Sequence, residues 1–232
     1  APARCAPERR ARLVDVSRYQ GPGEGNAWAR WRAERGVVGG FARCASGRHA
    51  DETYWANARA MRDAGLVLRG AYAWHDPRRS VDDHWRAIYP ALEAGVVFAL
   101  DIEPWPSAQP KTALRVWAAA TRPGDLVELC CRAREVTHAP ALCYTAGWAW
   151  RWGSVLADLG VGLWVADASR AALAAGYATH EVPGWSGIDG VPGEEWLVWQ
   201  HGVAPMPGEP APVDADSWCG DEASLRAWVA GG

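Results

Sequence analysis

Long apolar runs are missing from this sequence of 232 residues. No stretch approaches the ~20 apolar residues that a membrane-spanning helix needs, so membrane insertion is not expected. Positive charge is not in excess either. Lys and Arg number 24 against 27 Asp and Glu, for a formal net charge of -3. A chain that reads the nucleic-acid backbone relies on many unpaired Lys and Arg, so nucleic acid is not an expected partner. The basic segment Arg4–Arg12 is short and terminal. No CxxC pair and no HExxH spacing occur, which removes the commonest zinc signatures, and neither a metal nor a cofactor is expected. There is no internal repeat, no low-complexity tract and no linker that would split off a second domain. A monomer of one domain is expected. Phenylalanine is scarce at 2 residues, whereas tryptophan reaches 16.

What is present is a globular composition, 49% hydrophobic and 22% charged. Tryptophan combines a wide flat face with one N–H donor, which suits both core packing and stacking on sugar rings. The six cysteines, Cys5, Cys44, Cys130, Cys131, Cys143 and Cys219, are an even set that fits an oxidising compartment; buried free thiols are the alternative. A pairing of Cys5 with Cys219 is expected if the chain ends lie together. The sequence opens at Ala1 with no apolar leader, as a chain with its leader removed or an excised piece would.

Residues 1–11 read as a Pro- and Arg-rich arm, and residues 12–232 as the folded domain. Short apolar runs predict strands at Leu13–Val16, Val38–Cys44, Val67–Trp74, Val96–Ile102, Ala141–Thr145, Leu163–Ala166 and Trp196–Gln200, with a last short one near Val213. Amphipathic segments between them predict helices over Ala27–Arg35, Glu52–Ala64, Val81–Ala94, Lys111–Ala120, Leu126–Val136 and Ala149–Leu159. Gly65, Gly95 and Gly160 stand where helix C-caps belong. Repeated strand–helix–strand units imply a parallel sheet with helices outside it. About eight strands in this length favour an α/β fold closed into an irregular (β/α) TIM-like barrel, least regular from Gly176 to Trp218, where Gly and Pro abound.

The chemistry is concentrated in Phe98-Ala99-Leu100-Asp101-Ile102-Glu103. Strand residues two apart share a face, so Asp101 and Glu103 point together, Cα atoms roughly 6–7 Å apart, while Leu100 and Ile102 face the helices. An apolar strand that runs into two such acids places them at the C-terminal mouth of a barrel, where active sites of this architecture lie. Two carboxyls so close cannot both ionise cheaply, which makes one a proton donor beside an anion, the pair that glycoside cleavage uses. Glu103 is expected to hold its proton to an acidic or neutral pH. Asp15 ends the first apolar run by the same logic, and Pro212-Val213-Asp214-Ala215-Asp216 supplies a further acid at Asp214.

At these residues the chain resembles the lysozymes of glycoside hydrolase family 25, across nearly its whole length. The likeness is carried by Asp15-Val16-Ser17-Arg18-Tyr19-Gln20-Gly21, Phe41-Ala42-Arg43-Cys44-Ala45-Ser46-Gly47, Ala64-Gly65-Leu66 with Gly70-Ala71-Tyr72, and Leu100-Asp101-Ile102-Glu103. It continues through Cys143-Tyr144-Thr145, Leu163-Trp164-Val165-Ala166, Trp199-Gln200 and Val213-Asp214. The resemblance implies an N-acetylmuramidase that cuts the β-1,4 bond from N-acetylmuramic acid to N-acetylglucosamine in bacterial peptidoglycan, secreted or carried by a phage. It implies Glu103 as general acid, with Asp101, Asp15 and Asp214 in nucleophile, electrostatic or orienting roles. Tyr72, Trp74, Tyr144, Trp164, Trp199 and Gln200, at or near strand ends, are expected to line the sugar groove. The segment Trp74-His75-Asp76-Pro77-Arg78-Arg79 is longer than is common in the family.

Two other readings compete. A metal-dependent amidase or deacetylase would also use barrel-mouth Asp and His; His75 and Asp76 sit nearest such a mouth, while Asp82-Asp83-His84 reads as a helix start. A glycan-binding barrel without catalysis would use the aromatic groove alone.

Overall fold

The structure, a computed structural model, describes residues 9–20, 27–104, 116–117, 119–146, 156, 159–166, 196–208 and 212–231. Its strands are β1 (Arg12–Val16), β2 (Val37–Ser46), β3 (His49–Ala50), β4 (Leu68–Trp74), β5 (Val97–Asp101), β6 (Ala141–Ala146), β7 (Gly162–Ala166), β8 (Trp196–Ala204) and β9 (Val213–Trp218). Eight of these close a ring in the order β1-β2-β4-β5-β6-β7-β8-β9, and β9 pairs back onto β1. The short β3 folds back on the end of β2. Neighbours from β1 through β8 run parallel. β9 runs antiparallel to both β8 and β1. The start of β9 therefore lies at the same rim as the ends of the parallel strands.

Helices α1 (Ala27–Arg35), α2 (Tyr54–Asp63), α3 (Val81–Ile88), α4 (Pro123–Thr137) and α5 (Glu222–Ala230) belong to the same fold. Trp28 and Trp31 bury one face of α1, and Trp28 Nε1 donates to Asn57 Oδ1 of α2 at 3.1 Å. Helix α3 begins as the Asp82-Asp83-His84 pattern predicts, with the Ser80 side chain accepting from Asp83 N. The amphipathic pattern predicts a helix continuing to Ala94, but α3 ends at Ile88 and a 3-10 turn follows over Tyr89–Ala91. Pro90, which cannot donate to an α-helical ladder, accounts for the change. Gly65, Gly95 and Gly160 take positive φ angles of 64°, 79° and 69°, as the expected caps require. Most of Lys111–Ala120 and of Ala149–Leu159, and most of the Gly- and Pro-rich stretch after Gly176, lie outside the described residues.

Cys44, Cys130 and Cys143 are free and buried, and Cys131 is free and partly buried. Burial pushes the Cys44 and Cys130 thiols up to about 12, so they pack as small apolar groups and not as nucleophiles. Cys5, and with it the expected Cys5–Cys219 pairing, lies outside the described residues.

The barrel interior is packed by aromatic rings beneath the mouth. Phe41 of β2 stacks on Trp164 of β7, ring centroids 4.4 Å apart. Tyr72 and Tyr144 meet Trp164 edge-on at 6.1 and 4.9 Å. Phe41 has room because its partner in register on β4 is Gly70; a Cβ there would stand 2.0 Å from Phe41 Cδ1. Gly70→Ala is therefore expected to destabilise the chain by about 1–3 kcal/mol, or roughly 2–12 °C in Tm. Calorimetry of the purified variant checks this; an unchanged Tm would mean that the ring can swing aside without loss.

Candidate active site

The site is assembled from strand ends. Asp15 sits near the end of β1 and pairs in register with Asp214 of β9. Tyr72 and Trp74 close β4, Asp101 closes β5, and Glu103 follows two residues later. That last segment is held by Ile102 N donating to Tyr144 O at 2.8 Å and by Thr145 Oγ1 donating to Ile102 O at 3.0 Å. Leu100 and Ile102 are buried on the opposite face, so the two-residue period delivers Asp101 and Glu103 to the same side. One cavity is lined by Asp15, Tyr72, Asp101, Glu103, Tyr144, Trp164, Gln200 and Asp214. All four acids singled out in the sequence meet there.

A short hydrogen-bond chain orients the floor. The Tyr144 hydroxyl donates to Gln200 Oε1 at 2.8 Å, and Gln200 Nε2 donates to Asp15 Oδ2 at 2.8 Å. Trp164 Nε1 donates to Asp216 Oδ1 at 2.9 Å. Asp216 is thus a fifth acid at the site. It does not figure among the acids that the strand-end pattern singles out, although the period-two rule that joins Asp101 to Glu103 also joins Asp214 to Asp216.

Burial without matching cations leaves these carboxyls reluctant to ionise. Glu103 is pushed up to about 7, first by burial and then by the charge of Asp214. Asp15 rises to about 8 through burial and the charge of Asp214, with hydrogen bonds from Gln200 and Asp216 pulling the other way. Asp101 and Asp216 lie well above the usual carboxylate range, burial leading in both. Asp214 is raised by burial as well. Among the described residues, the cation acting on Asp101 is Arg43, a minor influence, and its guanidinium is held by Asp51 at 2.8 Å.

The aromatic residues separate by position. Tyr72 and Tyr144 face the cavity. Trp164 also lines it but is 1% exposed, a floor under the acids and not an open stacking surface. Trp74 donates its indole N–H to Glu103 O at 2.7 Å, bracing the backbone of that residue. Trp199 is outside the cavity lining: it neighbours Gln200 on β8, and a strand that turns Gln200 inward turns Trp199 outward, toward His201 at 4.8 Å.

His75 and His84 stack at 4.9 Å just beyond β4. Both are buried, and neither lines the cavity. Among the described residues no group of three or more His, Cys, Asp or Glu could hold a metal ion. None of the described helices is long and apolar enough to cross a membrane.

No protein-family model and no curated protein matches the sequence. Solved structures do resemble it in fold. The bacterial lysozyme from Streptomyces coelicolor is 22% identical, with 94% of this chain and 96% of that one covered and a TM-score of 0.70. The muramidase from Acremonium alcalophilum is 19% identical over 96% of this chain and 100% of the other, with a TM-score of 0.66. A family 25 glycosyl hydrolase from Bacillus anthracis is 13% identical over 98% and 97%, with a TM-score of 0.65. The shared fold is the irregular barrel whose acid-lined mouth is set out above.

Proposed function

We propose that this chain is an endo-N-acetylmuramidase of the glycoside hydrolase family 25 type, cutting the β-1,4 bond between N-acetylmuramic acid and N-acetylglucosamine in bacterial peptidoglycan. The observation that carries the reading is the single cavity lined by Asp15, Asp101, Glu103 and Asp214, in which Glu103 keeps its proton to about 7. A neutral carboxylic acid beside carboxylates is what a glycosidic bond needs: a proton for the leaving oxygen, and negative charge facing the anomeric carbon as it becomes cationic.

In this reading Glu103 gives its proton to the glycosidic oxygen as the bond to the anomeric carbon breaks. An ionised carboxyl among Asp101, Asp15 and Asp214 supplies the facing charge, and those that keep their protons orient the sugar. Water then provides the hydroxyl of the new reducing end, and its other proton goes to a carboxylate, which restores the starting state. Tyr72, Tyr144 and Gln200 line the sugar path. Tyr144 is tied to Gln200 and Gln200 to Asp15 by hydrogen bonds, so a sugar group that engages either one also acts on the acid network. Trp74 acts through the Glu103 backbone. Because the substrate is cell wall, the reading goes with action outside the producing cell or with release from a phage.

Digestion of purified peptidoglycan, followed by reduction and mass spectrometry of the fragments, tests the proposal. Fragments ending in reduced N-acetylmuramic acid are expected. Reducing ends of N-acetylglucosamine, or free stem peptides, would replace this reading with another glycosidase or an amidase.

A further inference from the structure

Asp216 is 2% exposed and lies two residues beyond Asp214 on the inward face of β9. Its Oδ1 accepts from Trp164 Nε1. Its Oδ2 is buried and meets no N–H or O–H donor. Diagonally across the β1–β9 ladder stands Asp15, whose opposite partner is Asp214, and Asp15 and Asp216 are close enough that each acts on the ionisation of the other. Gln200 already occupies Asp15 Oδ2. Two ionised carboxylates in contact in this interior would repel strongly, and the bare oxygen of Asp216 would bear its full desolvation penalty. One proton placed between them relieves both.

We propose that Asp216 is a positioning residue of the muramidase site: its carboxyl keeps a proton, donates it to the carboxylate of Asp15, and so closes a chain Tyr144–Gln200–Asp15–Asp216–Trp164 across the barrel floor. The inference rests on the proposed function for its catalytic consequence, but not for the existence of the shared proton. Asp15 then stands as the anion of the pair, clamped from two sides, and Asp216 stays neutral.

The surroundings agree. Among the described residues, the ionisable groups facing the pair are Asp214 beside it on β9, Asp101 at the end of β5, Glu103 just beyond it, Tyr72 from β4 and Tyr144 from β6. Arg43 on β2 is the cation in reach of Asp101 and Tyr72. Burial leads in raising both, and the charge of Asp15 raises Asp216 further, as expected of two carboxyls that cannot both ionise.

Infrared difference spectra of the whole chain, taken across the neutral range, test the proton directly. The wild type is expected to show a protonated-carboxyl stretch that Asp216→Asn lacks. Asp216→Ala should lower turnover roughly 10²-fold by loosening Asp15. Asp216→Asn, which offers an amide N–H to Asp15 and a carbonyl to Trp164, should recover most of that loss and keep the alkaline limb that Glu103 sets. An infrared band unchanged in Asp216→Asn, or Ala and Asn variants equally impaired, would overturn the inference. Because the spectrum needs no turnover, the two readings can fail separately. An inactive chain that shows the band refutes the muramidase reading alone; an active chain without the band refutes the shared proton alone.

Discussion

Replacement of Glu103 by glutamine is expected to lower the rate of glycan cleavage by about 10²- to 10⁴-fold while the chain stays folded. The amide keeps the shape of the side chain and leaves the carbonyl of residue 103 free to accept from Trp74, so the mouth retains its geometry. What is lost is the dissociable proton. The same group sets the alkaline limb of the wild-type profile. With Glu103 raised to about 7 by burial and by Asp214, the acid form dominates below that pH, and the rate should fall as pH rises through it. Initial rates on purified peptidoglycan, measured beside pelleting of the protein with insoluble wall, separate chemistry from binding. A variant that pellets like the wild type but no longer releases fragments fits the assignment. Retention of more than about a tenth of the wild-type rate would move the acid role to another carboxyl.

The second large effect concerns stability. Asp15 is raised to about 8 in the folded chain against an ordinary value of 3.8. Below the lower value both states are protonated, and the contribution is fully present. Between the two values the unfolded chain releases its proton while the folded Asp15–Asp216 pair keeps the one that it shares, so stability falls as pH rises, and the loss is complete above about 8. Asp101, Glu103, Asp214 and Asp216 move the same way. His75 opposes them: burial lowers it from 6.5 to about 3, so its contribution is lost as pH falls through that range. Asp51 and Asp76, held below the usual range by hydrogen bonds and arginines despite their burial, cost stability only in stronger acid. The acids outnumber the histidine, so Tm is expected to be higher near pH 5 than near pH 8. Asp15→Asn should flatten the difference by raising Tm at the alkaline end. Calorimetry at the two pH values decides it; a Tm equal at both, with Asp15→Asn no different, would mean that the carboxyls are better solvated than their burial implies.

The strand-end acids were legible in the sequence because period-two alternation is a local rule. Leu100 and Ile102 must go one way, so Asp101 and Glu103 must go the other, whatever the rest of the chain does. The barrel followed from alternating strand and helix patterns for similar reasons. The direction of β9 did not. Antiparallel pairing of Val213–Trp218 with both neighbours is settled by the connection that precedes it, and no periodicity within six residues records which way a strand runs. That is why Asp216, although it shares a face with Asp214, does not read as a strand-end acid. Trp199 shows the reverse difficulty: a Trp-Gln pair on a strand must divide its two side chains between inside and outside, and local composition does not say which goes where. For Trp164 the sequence locates the strand but not the depth, and depth is what separates a floor from a groove.

The closure of the barrel has a consequence at its other end. Ala11 and Gly220 are joined by a backbone hydrogen bond of 2.9 Å, just before β1 and just after β9, on the side away from the acids. A segment tethered at either point would leave from the end of the barrel opposite the acid-lined rim. A wall-anchoring module fused there would raise the effective concentration of the site at its polymer by proximity alone, with no need for the glycan path to be rebuilt around a new neighbour.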